Sequence, residues 1–408
     1  MSDAPRESTG VFGGSDAFGP YDWNDPWPTY DRMRSEVPVW RNPEGVWVLT
    51  RHADCEAVLR DPRFSSNSKH ADPPRVFVEG DPRALLDEED QRTLLFMDPP
   101  DHTRLRKLVS KGFTPRTVER LRPRIQQLVD GILDDAADAG RLDVVADLGF
   151  ELPVTVICEM LGVPLADRDQ FSGWSSDASR LLDADIDDEL LQRGLLAAFS
   201  FVEYFQELFA ERRLRPADDL VSALIAVEEE GDRLSEEELT SIVMLLFIAG
   251  HETTMNLIGN GTYALLRAPE QLARWRADPS LDIAGVEELL RFDGPVHVTG
   301  RIATQDLEIN GNPFAKGNTV ITLVSAANRD PARFADPARL DVGRQDNHHL
   351  AFSQGMHYCL GAALARLEGQ IAVGSLVRRF PDLELVSPPV YRDHFVLRGL
   401  TALEVTTG

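Results

Sequence analysis

Cysteine is scarce in this 408-residue chain, with three, at Cys55, Cys158 and Cys359. They are far apart, odd in number and form no C-x-x-C pair, which excludes a disulfide framework and a cysteine zinc site and fits a reducing cytosol. Cys55 and Cys158 lie in apolar-periodic runs and read as core. Long hydrophobic runs are missing too. The apolar run 242–249 is too short to cross a bilayer, and residues 1–19 have neither a basic n-region nor an apolar h-region, so neither anchor nor signal is read. No Pro/Gly/Ser-rich linker and no internal repeat divide the chain. Length alone would allow two or three domains. The even composition favours instead a flexible segment over 1–24 and a single unit over 25–408, cytoplasmic and monomeric.

Positive charge is the other shortage: 42 Lys and Arg stand against 67 Asp and Glu, a net charge of −25. That argues against nucleic acid and anionic membranes as partners. The bases cluster between 101 and 124, where Arg104, Arg106, Lys107, Lys111, Arg116, Arg120, Arg122 and Arg124 face only two acids. Such an island suits an acidic partner or a solvated helix face. No G-x-G-x-x-G and no flavin signature occur. Gly259-Asn260-Gly261 sits inside a helical pattern and reads as packing.

What is present is mostly helical periodicity with short β-runs, an α+β chain dominated by α. Short strands bracket Asn42 to Gly45, and a helix follows over 52–60. A long mixed loop covers 67–95, too long for a passive connection. Pro99-Pro100-Asp101 opens a helix that Asp101 can cap, and His102 and Arg106 share one of its faces. Two donors side by side suit a carboxylate, although a surface pair is the simpler reading. Further helices are predicted from 114, over 153–161, 167–182 and 189–214. Asn310-Gly311 marks a hairpin, and β-runs cover 296–301, 307–309 and 319–324.

Ser235 to Glu238 is a capping box opening a helix that runs to about 267. In its middle stand Ala249, Gly250, His251, Glu252, Thr253 and Thr254. Glycine costs about 1 kcal/mol against alanine in a helix, an unpaired buried carboxylate costs more, and a threonine at 253 can bond back to the Ala249 carbonyl and bend the helix. Local rules failing together mark a functional site. Glu288 and Arg291, at i and i+3, can pair. Near the C-terminus, Phe352-Ser353-Gln354-Gly355-Met356-His357-Tyr358-Cys359-Leu360-Gly361 places a cysteine between Gly355 and Gly361, just before a helix over 362–380. The glycines are read as permitting φ > 0, and the helix N-terminus as lowering the thiol pKa.

Together these stretches resemble the cytochrome P-450 family over residues 25–405: F-x-x-G-x-H-x-C-L-G, A-G-x-E-T-T, D-P-P-x-H-T-x-x-R and E-x-x-R occur in the family's order. Ser353 departs from the pattern, where the family usually carries glycine. The resemblance implies that family's fold, with a long central helix over a haem and a cysteine loop beneath it. It implies haem b with Cys359 as axial metal ligand, and His102, Arg106, Arg301 and His357 on its propionates. Phe352, Gly355 and Gly361 would shape the loop, and Ala249 and Gly250 the oxygen groove, with Thr253 and Glu252 supplying protons. Glu288, Arg291 and Arg339 would form a structural core. Val296, Val298 and Phe395 would line an apolar pocket, closed by the 67–95 loop and by the 167–182 and 189–214 helices acting as a lid. The activity implied is hydroxylation or epoxidation by O2 of a hydrophobic metabolite of macrolide, terpenoid or steroid type. Electrons would come from NAD(P)H through a reductase and an iron–sulfur ferredoxin docked on the basic island. A peroxide-driven peroxygenase would not need that ferredoxin, and a haem-thiolate sensor or carrier would not need Glu252 and Thr253.

Overall fold

The computed structural model describes residues 21–73, 93–183, 187–226 and 233–408. The expected flexible segment lies almost wholly outside the described residues, as do most of the 67–95 loop and the centre of the turn between the lid helices. Ser235 and Glu238 close their capping box reciprocally, at 3.1 and 2.9 Å, and the helix they open runs Glu236–Leu266. By length and composition that helix could cross a membrane, but 67% of its most apolar window is buried inside the protein. It is the axis of the molecule. Phe201, Phe205 and Phe209 recur every fourth residue on Asp188–Leu214 and pack with Phe171 and Phe247, joining the two helices expected to form a lid to the central one. On another side, Leu257 and Leu265 pack with Leu289, Val286 and Val373. Gly261 allows that approach, since a Cβ there would lie 2.5 Å from Leu289. Cys55 and Cys158 are buried, as expected.

The helix predicted from 114 is two, Pro115–Glu119 and Arg122–Ala139. Pro123 has no N–H, and its ring excludes the carbonyl four residues back, that of Glu119. Asp101 does not cap its helix: Pro100 takes the cap position and Asp101 begins Asp101–Val109. Asp98 is tied upstream instead, where its carboxylate accepts the Ser66 N–H at 3.2 Å and the Ser65 hydroxyl.

Strands gather at the edge in a five-stranded sheet ordered Val39–Arg41, Trp47–Leu49, Thr319–Leu323, Val298–Ala303, Phe64–Ser65. Val48 pairs with Ile321 in parallel register, and Gly300 faces Ile321 in antiparallel register. Leu307–Ile309 and Asn312–Phe314 form the expected hairpin, with φ of 49° at Asn310 and 81° at Gly311. Both values lie in the left-handed region that such a two-residue turn requires.

Candidate functional site

Cys359 is held by its own loop, its N–H donating to the Phe352 carbonyl at 2.9 Å. Ser353 has φ of 59°, the left-handed conformation in which the family's glycine would be unstrained. Gly355 is required twice over: its φ is 71°, and a Cβ there would meet the Leu59 carbonyl oxygen at 2.5 Å. Gly361 differs from expectation. Its φ is −83°, and a Cβ there would meet nothing within 4 Å. Space, not backbone conformation, is what that glycine leaves.

Cys359 is exposed as a residue, while the surrounding chain desolvates its thiol. The thiol pKa is raised, contrary to the sequence expectation, because burial outweighs the Gly361 and Ala362 N–H groups and the Arg106 and Arg366 charges that favour thiolate. A metal ligated by this sulfur would displace the thiol proton to solvent, since the thiolate is the ligating form.

Four nitrogen-bearing side chains converge beside this loop. His102 and His357 stand with ring centroids 4.4 Å apart, and the Nε2 of each is buried with no partner. Burial, then the charges of Arg301, His102 and Arg106, push His357 down to about 3. Burial and Arg106 lower His102 as well. Both rings are therefore neutral at pH 7, each with one N–H to donate. Arg106 donates to the Tyr358 carbonyl, which ties its helix to the cysteine loop. Arg301, 6% exposed, donates to the Thr299 hydroxyl at 3.2 Å and the Gly300 carbonyl at 2.7 Å. Burial lowers its pKa to about 10, against the opposing charge of Asp98. Two orphaned imidazoles and two guanidinium groups are a receptor for a dianionic edge.

The central helix contributes the other wall. Ala249 is exposed between buried Phe247 and His251, so this face of the helix borders a cleft. Thr253 donates to the Ala249 carbonyl at 2.9 Å and Thr254 to the Gly250 carbonyl at 3.3 Å, the back-bonding expected of a strained helix centre. Glu252 is buried, with Arg392 2.7 Å from one oxygen and His251 3.9 Å from the other.

Val296 bridges to Leu397, and Phe395 packs on the cluster that contains Val298. Val298 itself is 6% exposed and buried against Tyr30 and Met33, so Val296 and Phe395 offer more surface to a ligand.

Glu288 and Arg291 pair at 2.7 and 2.8 Å. Their third member is not Arg339, which supplies only its carbonyl; Arg344 brings its Nε to 3.0 Å from Glu288. The chain turns the Arg339 carbonyl toward this cluster, where it accepts from Arg291 at 3.4 Å and from Arg344 at 3.2 Å. Sequence reasoning also missed Glu368. It is buried beside Thr254, whose hydroxyl donates to the Gly250 carbonyl, and burial raises its pKa to about 8 with Thr254 opposing the rise. The signal was present, since Glu368 falls at i+4 from Leu364 and i−3 from Ile371, on the apolar face of its helix.

A family model described as Cytochrome P450 matches residues 196–278 and 283–395. The chain is 43% identical over 401 residues to the vitamin D(3) 25-hydroxylase of Pseudonocardia autotrophica, covering 96% of each. It is 42% identical over 405 residues to the 6-deoxyerythronolide B hydroxylase of Saccharopolyspora erythraea, covering 96% of this chain and 97% of that one. Among solved structures it is similar to P450BioI, crystallised with an acyl carrier protein bearing hexadec-9Z-enoic acid. The TM-score is 0.88, with 37% identity over 95% of this chain and 99% of that one.

Proposed function

The chain belongs to the cytochrome P450 family, an oxygen-incorporating oxidoreductase with cysteine-ligated haem, and from that premise we propose that it hydroxylates a C–H bond of a hydrophobic small molecule. Macrolide, terpenoid and steroid-like metabolites are the substrate class, and a separate ferredoxin with its reductase delivers the electrons. The observation that carries the reading is the pairing of an accessible Cys359 with the buried, unpartnered Nε2 atoms of His102 and His357 beside Arg106 and Arg301. Relatives named as hydroxylases of vitamin D(3) and of 6-deoxyerythronolide B support the substrate class.

The donor set fits haem: Cys359 would hold the iron, and His102, Arg106, Arg301 and His357 would receive the two propionates. When bound, the haem activates dioxygen, and electron donation from the thiolate favours O–O cleavage. The protein's own residues do the rest. Ala249 presents only a methyl to the cleft, Gly250 lets the helix pack on Ile157, which a Cβ there would meet at 3.3 Å, and the apolar Val296 and Phe395 orient the substrate. Thr253 turns its hydroxyl from the Ala249 carbonyl toward the cleft as donor, and Glu252 resupplies its proton.

The test is the absorption spectrum of the reduced protein under carbon monoxide. A Soret band far to the red, lost in Cys359→Ala, is the expected outcome. A spectrum of histidine-ligated type would remove Cys359 as the ligand.

A further inference from the structure

One short turn near the C-terminus is fastened at one end to the middle of the central helix and at the other to the end of the first lid helix. At one end, Arg392 Nη1 lies 2.7 Å from Glu252 Oε1, and Nη2 donates to Asn256, one helical turn further along the central helix. The Arg392 N–H also donates to the Gly399 carbonyl at 2.9 Å. A Cβ on Gly399 would fall 2.0 Å from Asn256 Oδ1 and 2.5 Å from Arg392 Nη2, so glycine is what lets the two meet.

At the other end the anchor is Asp183, which follows the first lid helix, Arg168–Ser179 with its 3-10 extension Arg180–Leu182. Its Oδ1 accepts the N–H groups of Phe395 and Val396 at 3.1 and 3.0 Å and lies 2.8 Å from His394 Nδ1. The same His394 Nδ1 accepts the Leu397 N–H at 3.2 Å, so the turn folds back on this junction. Arg180 spans the same junction, 3.5 Å from Asp183 Oδ2 and donating to the Asp393 carbonyl at 2.7 Å.

Glu252 is 2% exposed, so its charge depends on its neighbours. His251 touches its second oxygen, but burial lowers the His251 pKa and leaves the ring neutral. Among the described residues Arg392 is therefore the one permanent cation in ion-pair contact with Glu252. Its side chain keeps 21% exposure, which places the pair between the buried acid and solvent.

We propose that Arg392 and Asp183 are positioning residues, and that the turn carrying residues 391–397 transmits the lid's position to Glu252. Fastening the lid through Asp183 holds Arg392, and Arg392 holds the carboxylate oriented for proton transfer. Releasing the lid slackens the turn and the acid together. The inference rests on the proton role of Glu252 stated above.

The experiment compares holoenzyme variants Arg392→Gln, Arg392→Lys, Asp183→Asn and Glu252→Gln by two readouts. One is hydrogen exchange in the lid and in residues 391–399. The other is the share of reducing equivalents recovered as product and not as peroxide. Asp183→Asn should speed exchange in both segments and lower the product share although it lies outside the proton path. Arg392→Gln should lower that share roughly tenfold or more, with recovery in Arg392→Lys. In the Glu252→Gln background, Asp183→Asn should cost nothing further. If Glu252→Gln itself leaves the product share intact, the proton role falls and this inference with it. If Glu252→Gln lowers it while Arg392→Gln and Asp183→Asn do not, only the positioning claim is overturned. Should Asp183→Asn fail to retain haem, His394→Gln weakens the same junction and must show the same paired change.

Discussion

Buried carboxyl groups carry two of the site's opposing solutions. Glu252 lies 2.7 Å from the Arg392 guanidinium, whereas Glu368 has no ion-pair partner among the described residues and burial raises its pKa from 4.5 to about 8. The folded chain thus holds a proton that the unfolded chain gives up at lower pH. The stability it contributes is complete below about pH 4.5 and is lost as pH rises through 8, a span worth at most about 4–5 kcal/mol. Glu368→Gln cannot titrate. Its melting temperature should therefore gain on that of the native protein between pH 5 and pH 8; parallel curves would show that Glu368 does not carry the proton. Thr253→Ala removes a hydroxyl that now donates to Ala249 at 2.9 Å. It should leave substrate affinity unchanged while peroxide replaces product, read from peroxide yield per electron consumed. Unchanged coupling would place proton delivery elsewhere.

Elements were the most legible level of the sequence. The capping box, the hairpin at Asn310-Gly311 and the ends of His52–Arg60 follow from rules acting over four or five residues, and the structure has all of them. Legibility failed where the partner is distant. Glu288 and Arg291 were readable at i and i+3, but the third member lies beyond a loop, and the chain takes Arg344 rather than Arg339. The correction is testable by urea denaturation. Arg344→Ala should destabilise by about 1.5–3 kcal/mol, the worth of a hydrogen bond to a charged group. Arg339→Ala keeps the carbonyl that does the bonding and should fall within about 0.5 kcal/mol of the native protein.

At the scale of the whole molecule, the charge distribution matters more than its total of −25. Folding spends part of the basic island internally: Arg104 pairs with Glu238, Arg122 with Glu119 at 2.5 Å and Arg124 with Glu159 at 2.6 Å. Arg116 and Arg120 remain exposed beside the helix that carries His102 and Arg106. If the ferredoxin docks there, its reduction of the enzyme should slow as salt rises, because screening acts within about 8–10 Å. Reversing Arg116 and Arg120 together to Glu should slow it further and flatten the salt dependence; rates indifferent to both would move the docking face elsewhere. The sequence by itself determined the helical and strand elements, the cysteine loop and the motif order that names the family, since each rests on spacing within a few residues. Tertiary structure alone decided which charges are spent and which stay orphaned, that burial raises the Cys359 thiol, and that Asp183 meets His394 while Glu252 meets Arg392. Those outcomes depend on desolvation and on partners from distant segments, and neither is set until the chain has packed.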